Sequence, residues 1–305
     1  MKSFKQHLQE KGNSKKSIAI KELYLNQLRV WSQKLEKKTE ELAYKDLIDY
    51  IQELQNKGLR QVTIQLRVGT FKDYYHYIIK TGIRTDHPIG NLKIKGVQQN
   101  KLYSILEAEE LKKLYQDYEL AANNKLNETH NWHLNSQFTQ KRNKAMLGLM
   151  VFQGLTNGEL TRIECEDLKL REGKIYIRAS RKNQERIIAL ESEQLYDLME
   201  YVKEIRTEAL ERQAIESNQL FFSYNLGSKN LNVVIVKLMK KLRIQNPKVS
   251  SSKQIRASVI TYWLKRYNLR QVQYRAGHKN IKSTEKYLIN DLTSLQEDIN
   301  IYSPF

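Results

Sequence analysis

The chain has 305 residues, enough for two domains of ordinary size, and carries 52 lysines and arginines against 34 aspartates and glutamates. The resulting formal charge of +18 argues for a polyanionic partner, nucleic acid ahead of an anionic membrane, and both signs are dispersed over folded elements rather than gathered in a tail. A single cysteine, Cys165, excludes an internal disulfide and a cysteine-based metal site, and no run of about 18 apolar residues offers a transmembrane helix.

The polar start, Met1 to His7, has no apolar signal core, so a reducing cytoplasm is expected. Three prolines and 12 glycines suit a mainly helical protein. Residues 1–88 read as a helical bundle. Ser14 caps a first helix running to Lys34, with Ile18, Leu23, Leu25, Leu28 and Trp31 on its apolar face. A second is predicted from Thr39 to Lys57, ended by Gly58. A third follows Arg60 and runs to Lys80, with Gly82 and His87-Pro88 stopping it. Along that third helix Arg60, Thr63, Arg67 and Lys72 form a basic and polar edge, a candidate DNA contact and equally a solvated face. Phe71, Tyr74 and Tyr77 beside it read as core rather than as stacking platforms for bases. Residues 89–103, with glycines, amides and lysines and little periodicity, read as a basic linker.

Residues 104–290 form the predicted second domain. Ser104 is the expected cap of its first helix, with Glu107 in the capping-box position. Residues 119–140 are rich in Asn, Gln and His and read as a loop or a helix-loop insertion. His130 and His133 lie there three apart, without a carboxylate or cysteine to complete a metal site. Arg142 to Gln153 is a strongly apolar helix and the expected core. The periodicity then changes. Leu168 to Leu170, Lys174 to Arg178 and Arg186 to Leu190 are short strands, the last two flanking the polar turn Ser180 to Glu185. Helices resume at 191–212 and 230–242, and another carries Arg256, Ile260 and Trp263. The fold class is therefore mainly α with a small antiparallel β-sheet.

Near the end, Gly277-His278 is followed nine residues later by Tyr287, and Arg256 lies 22 residues before the histidine. A tyrosine, an arginine and a histidine in so basic a chain suggest covalent chemistry on a phosphodiester. Several further patterns fall in a consistent order. Gly154-Leu155, Glu159-Leu160 and Asp167-Leu168 come first, then the turn carrying Arg181 and Lys182, then Lys253-Gln254-Ile255-Arg256, then Gly277-His278 and Tyr287.

This ordered set resembles the tyrosine recombinase (phage integrase) family over nearly the whole chain. The resemblance implies a helical core-binding domain, a linker, and a mixed catalytic domain carrying a small sheet. It implies a DNA recombinase that needs neither metal, ATP nor any other cofactor, because a 3′-phosphotyrosyl link at Tyr287 retains the bond energy of the cleaved phosphodiester. In that scheme Arg256 forks onto phosphate oxygens, while His278 and Lys253 donate hydrogen bonds or assist proton movement. Lys182 protonates the leaving 5′-oxygen, with Arg181 as the alternative occupant of that role. Double-stranded DNA is the implied partner, bound by a clamp that assembles as a homotetramer on paired sites, with accessory DNA-bending proteins as candidate further partners. The tail 291–305 is a candidate subunit-exchange segment.

One position departs from the family pattern. An arginine is expected after Gly154-Leu155, and Thr156 stands there. A cation such as Arg162 or Arg178 could replace it, or the enzyme could work with fewer cations. A third possibility is that the protein binds DNA without cutting it.

Overall fold

The computed structural model describes residues 3–95, 103–118, 131–223 and 231–288, and the chain divides into two compact units, Met1–Lys101 and Leu102–Phe305. The first unit holds four helices, α1 (Phe4–Glu10), α2 (Lys15–Gln33), α3 (Tyr44–Asn56) and α4 (Gln61–Lys80). The Ser14 hydroxyl accepts the Ser17 N–H and so satisfies one of the unpaired donors at the start of α2. Gly58, at φ +74°, supplies the left-handed turn that ends α3. Leu28, Leu47, Ile64, Phe71 and Tyr75 form the centre of the core. Phe71 and Tyr74 are buried and Tyr77 packs against the same cluster, as the sequence predicts.

The structure differs from the sequence reading at several places. Helix α1, not anticipated, is fixed by a capping box between Ser3 and Gln6 and buries Phe4 and Leu8. Leu23 is 53% exposed, because the buried positions of α2 are Ile18, Leu25, Leu28 and Ser32. The second predicted helix does not start at Thr39. Thr39–Glu41 is one 3-10 turn, Leu42 is extended and fully buried, and α3 starts at Tyr44. Ile89 is buried in this core and Leu92 and Ile94 pack on it, so the expected linker begins inside the folded unit.

The second unit contains α5 (Ala108–Gln116), α6 (Asn131–Val151), α7 (Asn157–Leu160), a three-stranded sheet and α8 to α13. The strands β1 (Leu168–Lys169), β2 (Lys174–Ile177) and β3 (Arg186–Ala189) pair antiparallel in the order β1-β2-β3. Leu168 faces Ile175, and Ile177 faces Arg186. After the sheet come α8 (Ser192–Glu200), a π-helical turn over Tyr201–Ile205, α9 (Arg206–Gln213), α10 (Leu231–Gln245), α11 (Ser252–Leu264), α12 (Leu269–Ala276) and α13 (Lys282–Glu285). The core runs from Leu111 through Leu147, Leu149 and Ile175 to Ile255 and Ile260. Among the described residues no helix is long and apolar enough to cross a membrane.

In this unit one expectation is corrected and one open alternative is decided. Ser104 is not the cap of α5; Glu107 is, and its N–H donates to Glu110, while the Ser104 carbonyl accepts from the buried Gln254 amide. Residues 131–140 are helical, continuous with the apolar end of α6. Met146, Leu147, Leu149 and Met150 are buried on all sides of that end. Adding residues to a helix already anchored this way costs far less than starting one, which overrides weak local preference. His130 and the His133 side chain lie outside the described residues, as does the tail 291–305.

Helix α11 is buried along nearly its whole length and packs against α5, α6 and α12. It carries Arg256 from within the core to the point where those elements end. For the first unit, Phe71→Ala should cost about 3–5 kcal/mol by leaving a cavity where the ring packs beside Tyr50. Urea unfolding should show this as a lower midpoint with an unchanged slope.

Candidate active site

Ser251 caps α11 and places Arg256 one turn into the helix. Its Nη1 donates to the Gly154 carbonyl at 2.5 Å and its Nη2 to the Ala276 carbonyl at 2.6 Å. Both acceptors lie at helix ends, Gly154 just past α6 and Ala276 as the last residue of α12. The Ala276 carbonyl, in the last turn of α12, has no partner within its helix, and the negative end of a helix dipole favours a cation. Gly154 and Gly277, at φ +60° and +70°, turn the chain at these two ends. The guanidinium is thus fixed by backbone, in a place where sequence alone shows only glycines.

The Arg256 Nη2 also lies 3.4 Å from His278 Nε2. An arginine only donates, so the imidazole accepts at Nε2 and its Nδ1–H donates to the Thr284 hydroxyl at 2.9 Å. Burial, then the charges of Arg256 and Arg186, hold the His278 pKa down at about 4, with Glu159 opposing. The imidazole is therefore neutral near pH 7. The Tyr287 ring lies parallel to it, with centroids 5.9 Å apart and 7° between the planes. Burial pushes the Tyr287 phenol up from its ordinary pKa, and the Arg256 guanidinium opposes the shift. Arg256, His278 and Tyr287, far apart in sequence, stand together.

Beneath them is a second cluster. Thr156 is the N-cap of α7, and its hydroxyl and N–H both donate to Glu159 Oε2 at 2.8 Å. Glu159 Oε1 accepts from Asn183 Nδ2 at 2.9 Å and from Arg186 Nη1 at 2.6 Å. The side chains of Glu159 and Arg186 are 1% and 0% exposed. Burial raises the Glu159 pKa, but Arg186 and then Arg256 outweigh it and hold the value near 2. Arg186 Nε also donates to the Arg275 carbonyl at 2.8 Å. Glu159 entered the sequence reading only as part of a motif, and Arg186 was missed. A signal existed: Ile188 and Leu190 are inward positions of an alternating strand, and Arg186 shares their parity.

The other expected residues are placed as follows. Lys253 is exposed on the first turn of α11 and makes none of these contacts. Arg181 and Lys182 are both exposed in the β2–β3 turn. That turn is pinned from behind, since Gln184 N–H donates to the Gly277 carbonyl at 2.8 Å and Asn183 forms a β-bridge with His278. Arg178 is engaged by Glu164, Glu166 and Asp167, and Arg162 is exposed beside Gly158. In the first unit, Arg60 is the exposed N-cap of α4. Thr63 and Arg67 follow about 40° apart on one face, and Arg67 lies over the Tyr24 ring. Lys72 points about 140° away from Arg67, and its ammonium donates to the Gly90 carbonyl. Among the described residues no group of three or more His, Cys, Asp or Glu comes together to hold a metal ion.

Residues 105–293 match the phage integrase family, and residues 1–82 match the phage integrase N-terminal SAM-like domain. The chain belongs to the phage integrase family. Its activity class is that of a tyrosine-type site-specific DNA recombinase. The chain is 25% identical to tyrosine recombinase XerD of Staphylococcus haemolyticus, over 97% of this chain and 95% of that one. It is 24% identical to the TnP I resolvase of Bacillus thuringiensis, over 94% and 93%. The fold matches a lambda integrase dimer bound to a COC' core site, at TM-score 0.63, 15% identity and coverage of 93% and 74%. It also matches the Tn1549 transposon integrase in complex with transposon right end DNA, at TM-score 0.63, 16% identity and coverage of 96% and 97%.

Two tests address this integrase site. A Cβ at Gly277 would meet Arg186 Nη1, with Cζ at 2.9 Å, at a backbone angle that costs a side chain about 1–2 kcal/mol. Gly277→Ala should therefore lower the melting temperature and slow DNA cleavage together. The His278 imidazole, followed by NMR, should titrate near pH 4 rather than near 6.5. Because the folded pKa lies below the unfolded one, His278 contributes stability that is complete above about pH 6.5 and declines as pH falls toward 4. His278→Gln should flatten that part of the stability profile.

Proposed function

We propose that Tyr287 is the nucleophile of this recombinase and that Arg256, His278 and the β2–β3 turn serve it. The observation that carries this reading is the cluster itself, a phenol stacked on a neutral imidazole beside a guanidinium held by two helix ends. Tyr287 Oη attacks the scissile phosphorus, a new O–P bond forms, and the bond from phosphorus to the 5′-oxygen breaks. The phenolic proton passes to the lone pair of His278 Nε2 as the Arg256 Nη2–H that faces it goes over to the phosphate, with both backbone contacts of Arg256 kept. The 5′-oxygen takes a proton from Lys182. Arg181 is the poorer acid in that role, since a guanidinium does not give up its proton. Arg256 meets the charge that develops on the phosphoryl oxygens, and Lys253 adds a hydrogen bond to the phosphate from the start of α11. Reversal of the same steps with another 5′-hydroxyl rejoins the strand.

Double-stranded DNA is the substrate, and the net charge of +18 draws the chain to it. In the first unit Arg60, Thr63 and Arg67 form the contact face, and Lys72, turned away from it and bonded to the Gly90 carbonyl, lies outside. The active form is a homotetramer on paired sites, a reading supported by the lambda integrase tetramer bound to a Holliday junction, whose fold this chain shares. The cytoplasm is the compartment, in keeping with the single cysteine.

A nicked suicide duplex tests the chemistry, because loss of the cut fragment traps the covalent intermediate. The wild-type chain on its own site should give an SDS-resistant adduct, and Tyr287→Phe should give none. Arg256→Met should slow adduct formation roughly 100- to 1000-fold. An adduct that persists in Tyr287→Phe assigns the nucleophile elsewhere, and no adduct from the wild type makes the protein a binder.

A further inference from the structure

Thr156 removes a cation from the site, yet Glu159, three residues on, is a buried carboxylate within 3.7 Å of Arg256 Nη1. Left to itself, such a carboxylate would pair with Arg256 and cancel the charge the phosphate requires. In the structure that pairing stays loose, at 3.7 Å and beyond hydrogen-bond reach. Thr156 holds Oε2 through two hydrogen bonds, and Asn183 and Arg186 hold Oε1 through two more, so each short contact to the carboxylate comes from a group other than Arg256. Two arginines and one carboxylate leave this buried cluster with a net charge of +1. We propose that Arg186 is a positioning residue of the recombinase: it engages Glu159 and so keeps the charge of Arg256 available to the scissile phosphate.

The geometry favours this role over direct phosphate contact. The Arg186 side chain is 0% exposed, wedged against Gly277 and tied to the Arg275 carbonyl, so DNA cannot reach it in this arrangement. Its Nη2 is buried and has no hydrogen-bond partner among the described residues. A group fixed at that cost is held for the charge and fork of its remaining contacts rather than for complete satisfaction. Arg186 also fastens three motifs at one point. It joins the first motif through Glu159, the β2–β3 hairpin as the first residue of β3, and the Gly-His motif through Gly277 and the Arg275 carbonyl. Where the family pattern has an arginine, this chain has a threonine that spends its donors on the same carboxylate. Thr156 and Arg186 are in this respect partners.

The inference rests on the proposed phosphotyrosyl chemistry, and a paired-substrate experiment separates the two. Single-turnover adduct formation is measured at saturating DNA on a suicide duplex and on the same duplex with a neutral methylphosphonate at the scissile position. An attacked phosphodiester carries about twice the negative charge of an attacked methylphosphonate, so losing free charge at Arg256 should hurt the first far more. Arg186→Met should slow the phosphodiester roughly 100-fold and the methylphosphonate no more than about tenfold. DNA affinity should remain within about threefold of wild type, because the phosphate contacts outside the site are untouched. The double variant Arg186→Met, Glu159→Gln removes the carboxylate with its partner, leaves Arg256 alone at +1, and should recover most of the lost rate. It also serves if the single variant does not fold, and Arg186→Lys, which keeps the charge, should fall between wild type and Arg186→Met. Equal losses on the two substrates, or a double variant as slow as the single one, would overturn the proposal and make Arg186 purely structural. Absence of an adduct from the wild type on the phosphodiester would instead overturn the phosphotyrosyl reading itself.

Discussion

The catalytic unit depends on one buried carboxylate placed between two arginines. Taking Glu159, Arg186 and Arg256 out of water is expensive for each, and none of the three is tolerable alone. Their mutual attraction offsets the desolvation only because the remaining donors and acceptors are filled, by Thr156 and Asn183 on the carboxylate and by backbone carbonyls on the guanidinium groups. The near-complete satisfaction of this network fixes α7, β3, α11 and the Gly277 turn relative to one another. A change at any one member is therefore felt at the others.

The same physics explains why the site sits where helices end. Arg256 is held by a carbonyl of the turn beyond α6 and by one that α12 cannot use internally, and the glycines there let the backbone turn away at once. A cation held by peptide dipoles keeps its full charge, whereas one held by a carboxylate gives much of it up. His278 benefits from the same neighbourhood. Burial and two adjacent guanidinium groups keep its ring neutral at neutral pH, and that ring lies parallel to the Tyr287 phenol. A base with an ordinary histidine pKa would be partly protonated there.

Several elements were legible from local pattern. The cap Ser14, the glycine stop at Gly58, the three strands and the buried stripe of α4 follow from propensity and periodicity. Other features were decided by distant packing. Residues 131–140 read as a loop or part of a helix-loop insertion, and they fold as helix because the apolar end of α6 is clamped in the core. Leu42 looks helical and is extended because the core takes its side chain from a turn. Leu23 matches a helical face and points outward, since one residue of shift on α2 moves a side chain by about 100°. In the β2–β3 turn, exposure of Arg181 and Lys182 was foreseeable from polarity, but not the anchoring of Asn183 and Gln184 to Gly277 and His278.

The sequence by itself determined the chemistry on offer: a tyrosine, a histidine, an arginine and a net positive charge, in the order the family uses, with a threonine where a cation was due. Spacing and residue type carry that much because a nucleophile, a fork and a base are properties of single side chains. Only the tertiary structure decided which charges are free and which are spent. Arg178 is spent on three carboxylates, Lys72 on a carbonyl, and Arg186 on Glu159, and none of those pairings can be read from the residues that form them. The reason is that an electrostatic interaction depends on distance and burial, and both are set by the packing of elements that lie far apart in the chain.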